Sequence, residues 1–269
     1  MENYNQYRIQ VSNEYRDVFS HFYFAENKNQ NPITKTLLPS YQTIMIFIFG
    51  NDVLLHTQQD KTLTLNKCIV LGPMKQALEY TLQLNSELLV ANFIDDAFYR
   101  FFSKVLLNSN SPTNPDVLLD SNCVEVLWAH LNKKQDNNSR VAYILEYCKP
   151  YLSEQSAIAN QLIKVDSEIL NPIKTIAELN NESERNIQIK HKKYLGYSAK
   201  EKIRFERFLK VMEYIQENID KDCIQIDWFD VIQNYGYYDQ SHLIHDFKKY
   251  LNMSPTKYLK LQQDICNPR

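Results

Sequence analysis

The sequence predicts an α+β protein: an N-terminal β-barrel followed by an all-α domain with two helix-turn-helix motifs. Three observations carry that prediction. Short β-branched and aromatic runs, separated by polar breaks, lead up to Phe93. Helical periodicity takes over beyond a loop at 108–115 and holds to the end, so strands and helices segregate rather than alternate. The tetrapeptide Lys-Lys-Tyr-Leu occurs at 192–195 and again at 248–251, an offset of 56 residues, with matching caps around both copies.

Taken in order, Ile44 to Phe49 is a strand ended by the Gly50-Asn51-Asp52 turn. Val53 to Leu55, Thr62 to Leu65, Cys68 to Leu71, Tyr80 to Leu84 and Leu88 to Phe93 follow, broken at Gln58-Gln59-Asp60 and Asn66-Lys67. Such spacing, about 8–12 residues, suits a sandwich or barrel. Asp95 to Leu107 reads as a closing helix, and Asn108 to Pro115 is a loop by its Asn, Ser and Pro content. Val124, Leu127, Trp128 and Leu131, then Val141, Ile144, Leu145 and Cys148, sit three and four apart and mark two helices, read as a linker hairpin. The expected division is a β-barrel domain at 1–107, a loop with linker helices at 108–152, and a helical domain at 153–269.

At the offset of 56, Asn171 pairs with Asp227, Ile173 with Phe229, Ile176 with Ile232, Ser183 with Asp239, Ile187 with Leu243 and Ser198 with Ser254. Asn171, Asp227, Ser183 and Asp239 are good N-caps. Asn180 and Gly236 tolerate the left-handed backbone of a tight turn. Each copy is thus a short capped helix, a turn and a second capped helix, a helix-turn-helix at about 171–196 and again at about 227–251. In the second, Leu243 and Phe247 bury one face and leave Gln240, Ser241, His242 and His245 to meet base edges. In the first, the equivalent set is Glu184, Arg185 and Gln188. Lys192, Lys193, Lys248 and Lys249 follow one turn later, placed for phosphates. Arg185 to Lys210 holds nine Lys/Arg against two Glu, net +7, able to neutralise phosphates. Val211 to Phe247 holds one Lys against eight Asp/Glu, net −7, so the repeat carries more weight than the charge.

Composition excludes other classes. The chain has four glycines, where a usage of roughly 7% would give about nineteen, and they lie far apart. Phosphate loops and dinucleotide fingerprints need clustered glycines, so nucleotide enzymes of those kinds are out. Five scattered cysteines (Cys68, Cys123, Cys148, Cys223, Cys266) form no C-x-x-C pair, which argues for reduced buried thiols over a disulfide framework or zinc site. The polar start and a longest apolar run of Ile44 to Phe49 give no signal peptide and no membrane helix. A cytoplasmic protein is expected.

The segment from Gly236 to Pro255 (GYYDQSHLIHDFKKYLNMSP) resembles the second-motif signature of the AraC/XylS family of bacterial transcription regulators: Gly, aromatic, polar cap, Leu, Phe-Lys, then Ser-Pro. Ser183 to Gly196 resembles the family's first recognition helix. The resemblance covers about 171–262 and implies two motifs joined by a long helix around Ala199 to Gln216, binding successive major-groove segments. This sequence departs from the family at His191, where the first motif normally buries Phe, at Ile189, where a base-contacting residue is common, and at Asn252, which replaces a glycine. Leu38-Pro39, Leu71-Gly72-Pro73 and Phe93 before the 97–102 helix resemble the cupin-like sensing domains that precede such motifs. The resemblance implies double-stranded DNA as partner, an activator's contact with RNA polymerase, and an N-terminal domain for a small-molecule effector, homodimerisation or both.

A metal-dependent cupin enzyme would need several inward-facing His and a carboxylate. Only His56 falls in an expected strand, His21 precedes the barrel, His130 lies on a helix, and no H-x-H or H-E-x-x-H spacing occurs. No enzyme, metal or cofactor is expected. Aromatics of the β half, among them Phe22, Tyr23, Phe47 and Phe93, serve as core or as the lining of an apolar pocket. The reading is a sequence-specific DNA-binding transcription regulator. The alternative is a protein-interaction adaptor whose motifs have lost DNA binding, suggested by the acidic 211–247 stretch.

Overall fold

The structure is a computed structural model that describes residues 4–57, 61–104, 111–119, 122–165, 171–220 and 226–266. The break expected at 58–60, the end of the 95–107 helix, the first residues of the following loop and Cys223 lie outside them. The chain forms two compact units: Met1–Val165 with Asn171–Ser198, and Ala199–Arg269 with 166–170. The first repeat copy therefore belongs with the β structure, whereas the sequence reading places it with the second copy in a domain beginning at 153.

Among the described residues nine strands open the first unit: β1 (Tyr4–Ile9), β2 (Phe19–Asn27), β3 (Ile33–Leu37), β4 (Thr43–Gly50), β5 (Val53–His56), β6 (Thr62–Leu65), β7 (Cys68–Leu71), β8 (Leu78–Leu82) and β9 (Ser86–Phe93). They make two antiparallel sheets, ordered β1-β2-β9-β4-β7 and β3-β8-β5-β6. The expected barrel is a pair of sheets not closed by hydrogen bonds among the described residues. Side chains of a strand alternate between faces, and in β4 both sets are buried. Ile44, Ile46 and Ile48 pack with Val53, Leu55, Leu78 and Leu82 of the smaller sheet. Met45, Phe47 and Phe49 pack with helices on the opposite side. Burial on both faces explains the unbroken apolar run, which would alternate in a strand with one wet face.

Those helices are α1 (Ala97–Phe102), α2 (Pro115–Leu119), α3 (Cys123–Asn132) and α4 (Asn137–Cys148). Val124, Leu127 and Leu131 of α3 and Val141, Ile144 and Cys148 of α4 join the core formed by Phe22, Phe47 and Phe93. The Trp128 Nε1–H donates to the Ile48 carbonyl at 2.7 Å. The two helices expected as a linker are a layer of the β domain. Burial pushes the Cys68 thiol well up and the Cys148 thiol up to about 12, so both stay protonated. Three further helices complete the unit: α5 (Ala157–Ile163), α6 (Pro172–Leu179) and α7 (Glu184–Leu195).

The second unit is helical, with α8 (Ala199–Asp220), α9 (Trp228–Asn234), α10 (Gln240–Leu251) and α11 (Pro255–Cys266). Its core gathers aromatics. Phe208 of α8 meets Phe247 of α10 edge-on at 5.1 Å and Tyr250 at 4.7 Å, while Trp228 of α9 meets Phe247 at 6.4 Å. No helix among the described residues is long and apolar enough to cross a membrane.

Candidate nucleic-acid interface

The second helix-turn-helix is built from local rules. Asp227 caps α9 by accepting from the Phe229 N–H at 2.8 Å, Gly236 takes the left-handed turn at φ +69°, and Asp239 caps α10 by accepting from the His242 N–H at 2.8 Å. Leu243, Phe247, Tyr250 and Leu251 are buried, and Asn252 closes the helix at φ +59°, the conformation Asn tolerates in place of glycine. Phe229, the counterpart of Ile173 in the repeat, is 72% exposed, because Val231 is the residue of α9 that faces inward.

Of the side chains expected to meet DNA, Gln240, Ser241, His245 and Lys248 are exposed, while His242 and Lys249 are half-buried. Both histidines have partners within the unit. Arg207 Nη2 donates to His242 Nε2 at 2.9 Å, and Arg204 Nη2 donates to His245 Nδ1 at 2.8 Å. Burial, then the charge of Arg207, lowers the pKa of His242, so it stays neutral near pH 7. The same two arginines hold Asp246, which is fully buried. Arg204 Nε donates to Oδ1 at 2.5 Å and Arg207 Nη2 to Oδ2 at 3.2 Å. The Arg207 guanidinium also lies 4.4 Å from the centre of the Tyr237 ring. The basic run is thus not wholly available to phosphates: Arg204 and Arg207 are engaged internally, Lys190 pairs with Glu182, and Lys202 reaches Glu206 at 3.7 Å.

The first copy matches in length and differs in chemistry. α7 and α10 each span twelve residues and begin and end 56 residues apart. Ser183 caps α7, accepting from the Asn186 N–H at 3.2 Å, and Gly196 ends it at φ +77°. Glu184, Arg185, Gln188, Lys192 and Lys193 are all exposed. Lys193 lies 5.6 Å from the centre of the Tyr99 ring of α1. Two expectations fail. Asn171 sits at φ +56° and makes no side-chain cap; Pro172, which needs no N–H partner, follows it. The left-handed residue of the turn is Asn181 at φ +52°, not Asn180. His191, where Phe was expected from the resemblance, is fully buried and donates from Nδ1 to the Tyr197 carbonyl at 2.6 Å.

A second concave feature lies between the two sheets. A cavity of about 410 Å³ is lined by Ile44, Ile46, Ile48, Val53, Leu55 and other aliphatics, with Arg8, His21, Tyr23, Gln42, Tyr80 and Asn92 as polar members. His21, expected ahead of the barrel, is in β2; its Nδ1 lies 3.0 Å from Ser20 Oγ. Burial and then Arg8 lower its pKa. Burial pushes the Tyr23 and Tyr80 phenols up to about 12, so both remain un-ionised. Among the described residues no carboxylate pairs with Arg8, and no three His, Cys, Asp or Glu come together as metal ligands would.

Residues 225–260 match the family described as bacterial regulatory helix-turn-helix proteins, AraC family. The match spans α9, the turn and α10, the segment whose caps, core and exposed polar face are described above. Residues 225–260 are thus a helix-turn-helix of the AraC type.

No curated protein matches this sequence. Among solved structures it is similar to ToxT from Vibrio cholerae, at 16% identity over 89% of this chain and 98% of that one, with a TM-score of 0.42. An unsaturated fatty acid-bound ToxT from the same organism aligns at 14% identity over 95% and 94%, with a TM-score of 0.39. An RmlC-like cupin protein from Desulfovibrio desulfuricans aligns at 12% identity over 34% of this chain and 81% of that one, with a TM-score of 0.26. The likeness to AraC-family proteins rests on the segment 225–260, not on these structures.

Three features of the structure escaped sequence reasoning. Tyr238, 91% exposed, stands just before the cap of α10, beside the exposed polar first turn of that helix. Arg8 lies in a polar edge strand that shows little apolar alternation. The Arg204–Arg207–Asp246 cluster left one trace in the sequence: Asp246 falls three residues after Leu243 and one before Phe247, a core position where an acid needs a buried partner.

Proposed function

We propose that this chain is an AraC-family transcription regulator that reads duplex DNA with the exposed first turns of α10 and α7. Gln240, Ser241 and His245 meet bases in one major-groove segment, and Glu184, Arg185 and Gln188 meet bases in another. Lys192, Lys193, Lys248 and Lys249 hold phosphates, and His242 supports the reading face from its contact with Arg207. One observation carries this reading. Two capped helices of equal length each turn polar side chains outward in the first two turns and carry a Lys pair in the last. The test is fluorescence anisotropy of the full chain on random-sequence duplex across a salt series. Affinity should fall roughly tenfold or more between 50 and 200 mM salt. Operator selection should then yield a motif whose binding is weakened by Gln240→Ala and not by Gln262→Ala. Salt-independent or absent binding would favour the adaptor reading.

The first unit serves sensing or dimerisation. Its cavity suits a small effector with an aliphatic body and one polar or anionic end, met by Arg8 and the neutral donors Tyr23 and Asn92. Calorimetry with decanoate and decanol checks this. Decanoate should bind more tightly, and Arg8→Gln should remove the difference; equal binding of both by the parent chain would refute the role of Arg8.

A further inference from the structure

The hydrogen bonds around α10 determine where the ring protons of its two histidines sit. A guanidinium has donors only, so the imidazole nitrogen facing it is the unprotonated acceptor. In His242 that nitrogen is Nε2, facing Arg207, and in His245 it is Nδ1, facing Arg204. A neutral imidazole keeps its single proton on the other nitrogen. His245 therefore carries N–H at Nε2, on the ring edge away from Arg204. Both arginines are themselves fixed by the buried Asp246 carboxylate, so neither guanidinium is free to turn away. His245 is exposed and lies on one stripe of α10 with Ser241 and Lys248, four residues before it and three after. Lys248 suits a phosphate and Ser241 a base edge, which places His245 between them.

We infer that His245 is a specificity-determining residue held by Arg204 and Asp246 as a hydrogen-bond donor, and that it selects guanine in the major groove. Guanine presents two acceptors there, N7 and O6; thymine presents one, O4, beside its methyl group, adenine presents N7 beside a donor, and cytosine presents a donor alone, so a lone N–H favours guanine most and excludes cytosine. An imidazole free to take either tautomer would make no such distinction. Arg204 and Asp246 are positioning residues: they need not touch DNA, and they act through the ring. The inference rests on the DNA-binding reading above and sharpens it at one side chain.

Two measurements on the full chain test it. In ¹⁵N-histidine NMR the resonance lost in His245→Asn should be that of an Nε2–H tautomer. In operator selection the parent chain should require guanine at one position. His245→Asn should shift that position toward adenine, which Asn bonds in two places, and should lower affinity for the parental operator about tenfold. Arg204→Lys should relax the guanine preference at that one position, and the other selected positions of the motif should keep their bases. An Nδ1–H tautomer, or a selected motif that His245→Asn leaves unchanged, would overturn the assignment. Failure of the parent chain to bind any duplex would remove the DNA-binding reading and the base contact with it. The NMR result would still show whether the ring geometry had been read correctly.

Discussion

The two helix-turn-helix copies hold the same backbone plan with different chemistry at its centre. At matching positions the first copy has a buried His191 bonded to a carbonyl, and the second has Phe247 among Phe208, Trp228 and Tyr250. One residue earlier, the first copy has Lys190, paired with Glu182, and the second has Asp246, fully buried between two arginines. Helix length and caps therefore persist where core chemistry diverges. A capped helix needs only local groups, whereas a core residue must suit whatever packs against it. In the first unit α7 lies near α1, where Tyr99 meets Tyr194 edge-on at 4.9 Å.

The largest test of this contrast is Phe247→Ala. It should destabilise the second unit by about 3–5 kcal/mol, as core Phe truncations do, and urea unfolding followed by tryptophan fluorescence would show it. An unchanged midpoint would mean that the aromatic cluster does not hold α10. Asp246→Ala comes next, at about 2–3 kcal/mol, because it leaves two arginines facing an apolar gap and each is partly screened by water. If the variant were as stable as the parent, the cluster would contribute to positioning alone. Asp239→Ala should cost about 1 kcal/mol by loss of the cap. Asn171→Gly, which keeps the left-handed backbone and removes no cap, should change stability by only a few tenths. Equal losses at the two positions would contradict the asymmetry of the caps.

The smallest effect is on pH. The pKa of His242 is below its ordinary value of about 6.5 in the folded chain, so the unfolded chain binds more protons as pH falls. Stability from this group is therefore present above pH 6.5 and lost as pH falls through that value toward the folded pKa. Melting temperatures between pH 7.5 and 5.5 should fall, and His242→Gln should flatten part of the slope. A slope identical in the variant would assign the loss to other groups.

How much was legible in the sequence follows the same division between local and distant causes. Thr62–Leu65 and Cys68–Leu71 were read to the residue, because β-branched content and polar breaks are local signals. The caps at Ser183, Asp227 and Asp239 were readable for the same reason. β1, β2 and β3 were not placed: β1 and β3 are largely exposed edge strands of polar sequence, held by pairing with β2 and β8. The helices α3 and α4 were visible as helices, yet periodicity shows that a face is buried without saying against what. Beyond the acid at core position 246, neither the internal use of Arg204 and Arg207 nor the polar part of the cavity lining at Arg8 and His21 has a local signature. Each brings together side chains separated by tens of residues, and charge counting assigned the arginines to phosphate.

The strand β4 has one more consequence, for how the sequence can vary. Thr43 through Phe49 are all buried, so seven neighbouring codons specify side chains with no wet face on which to drift. A larger residue at Ile46 presses into the cavity, and one at Phe47 presses on the helical layer. In β1, Asn5 through Arg8 are exposed and most exchanges there are cheap. A saturation library across the two strands should therefore return an almost blank column set at 43–49 and a crowded one at 5–7. Arg8 would stand out from its own strand only when the library is sorted on effector response rather than on folding.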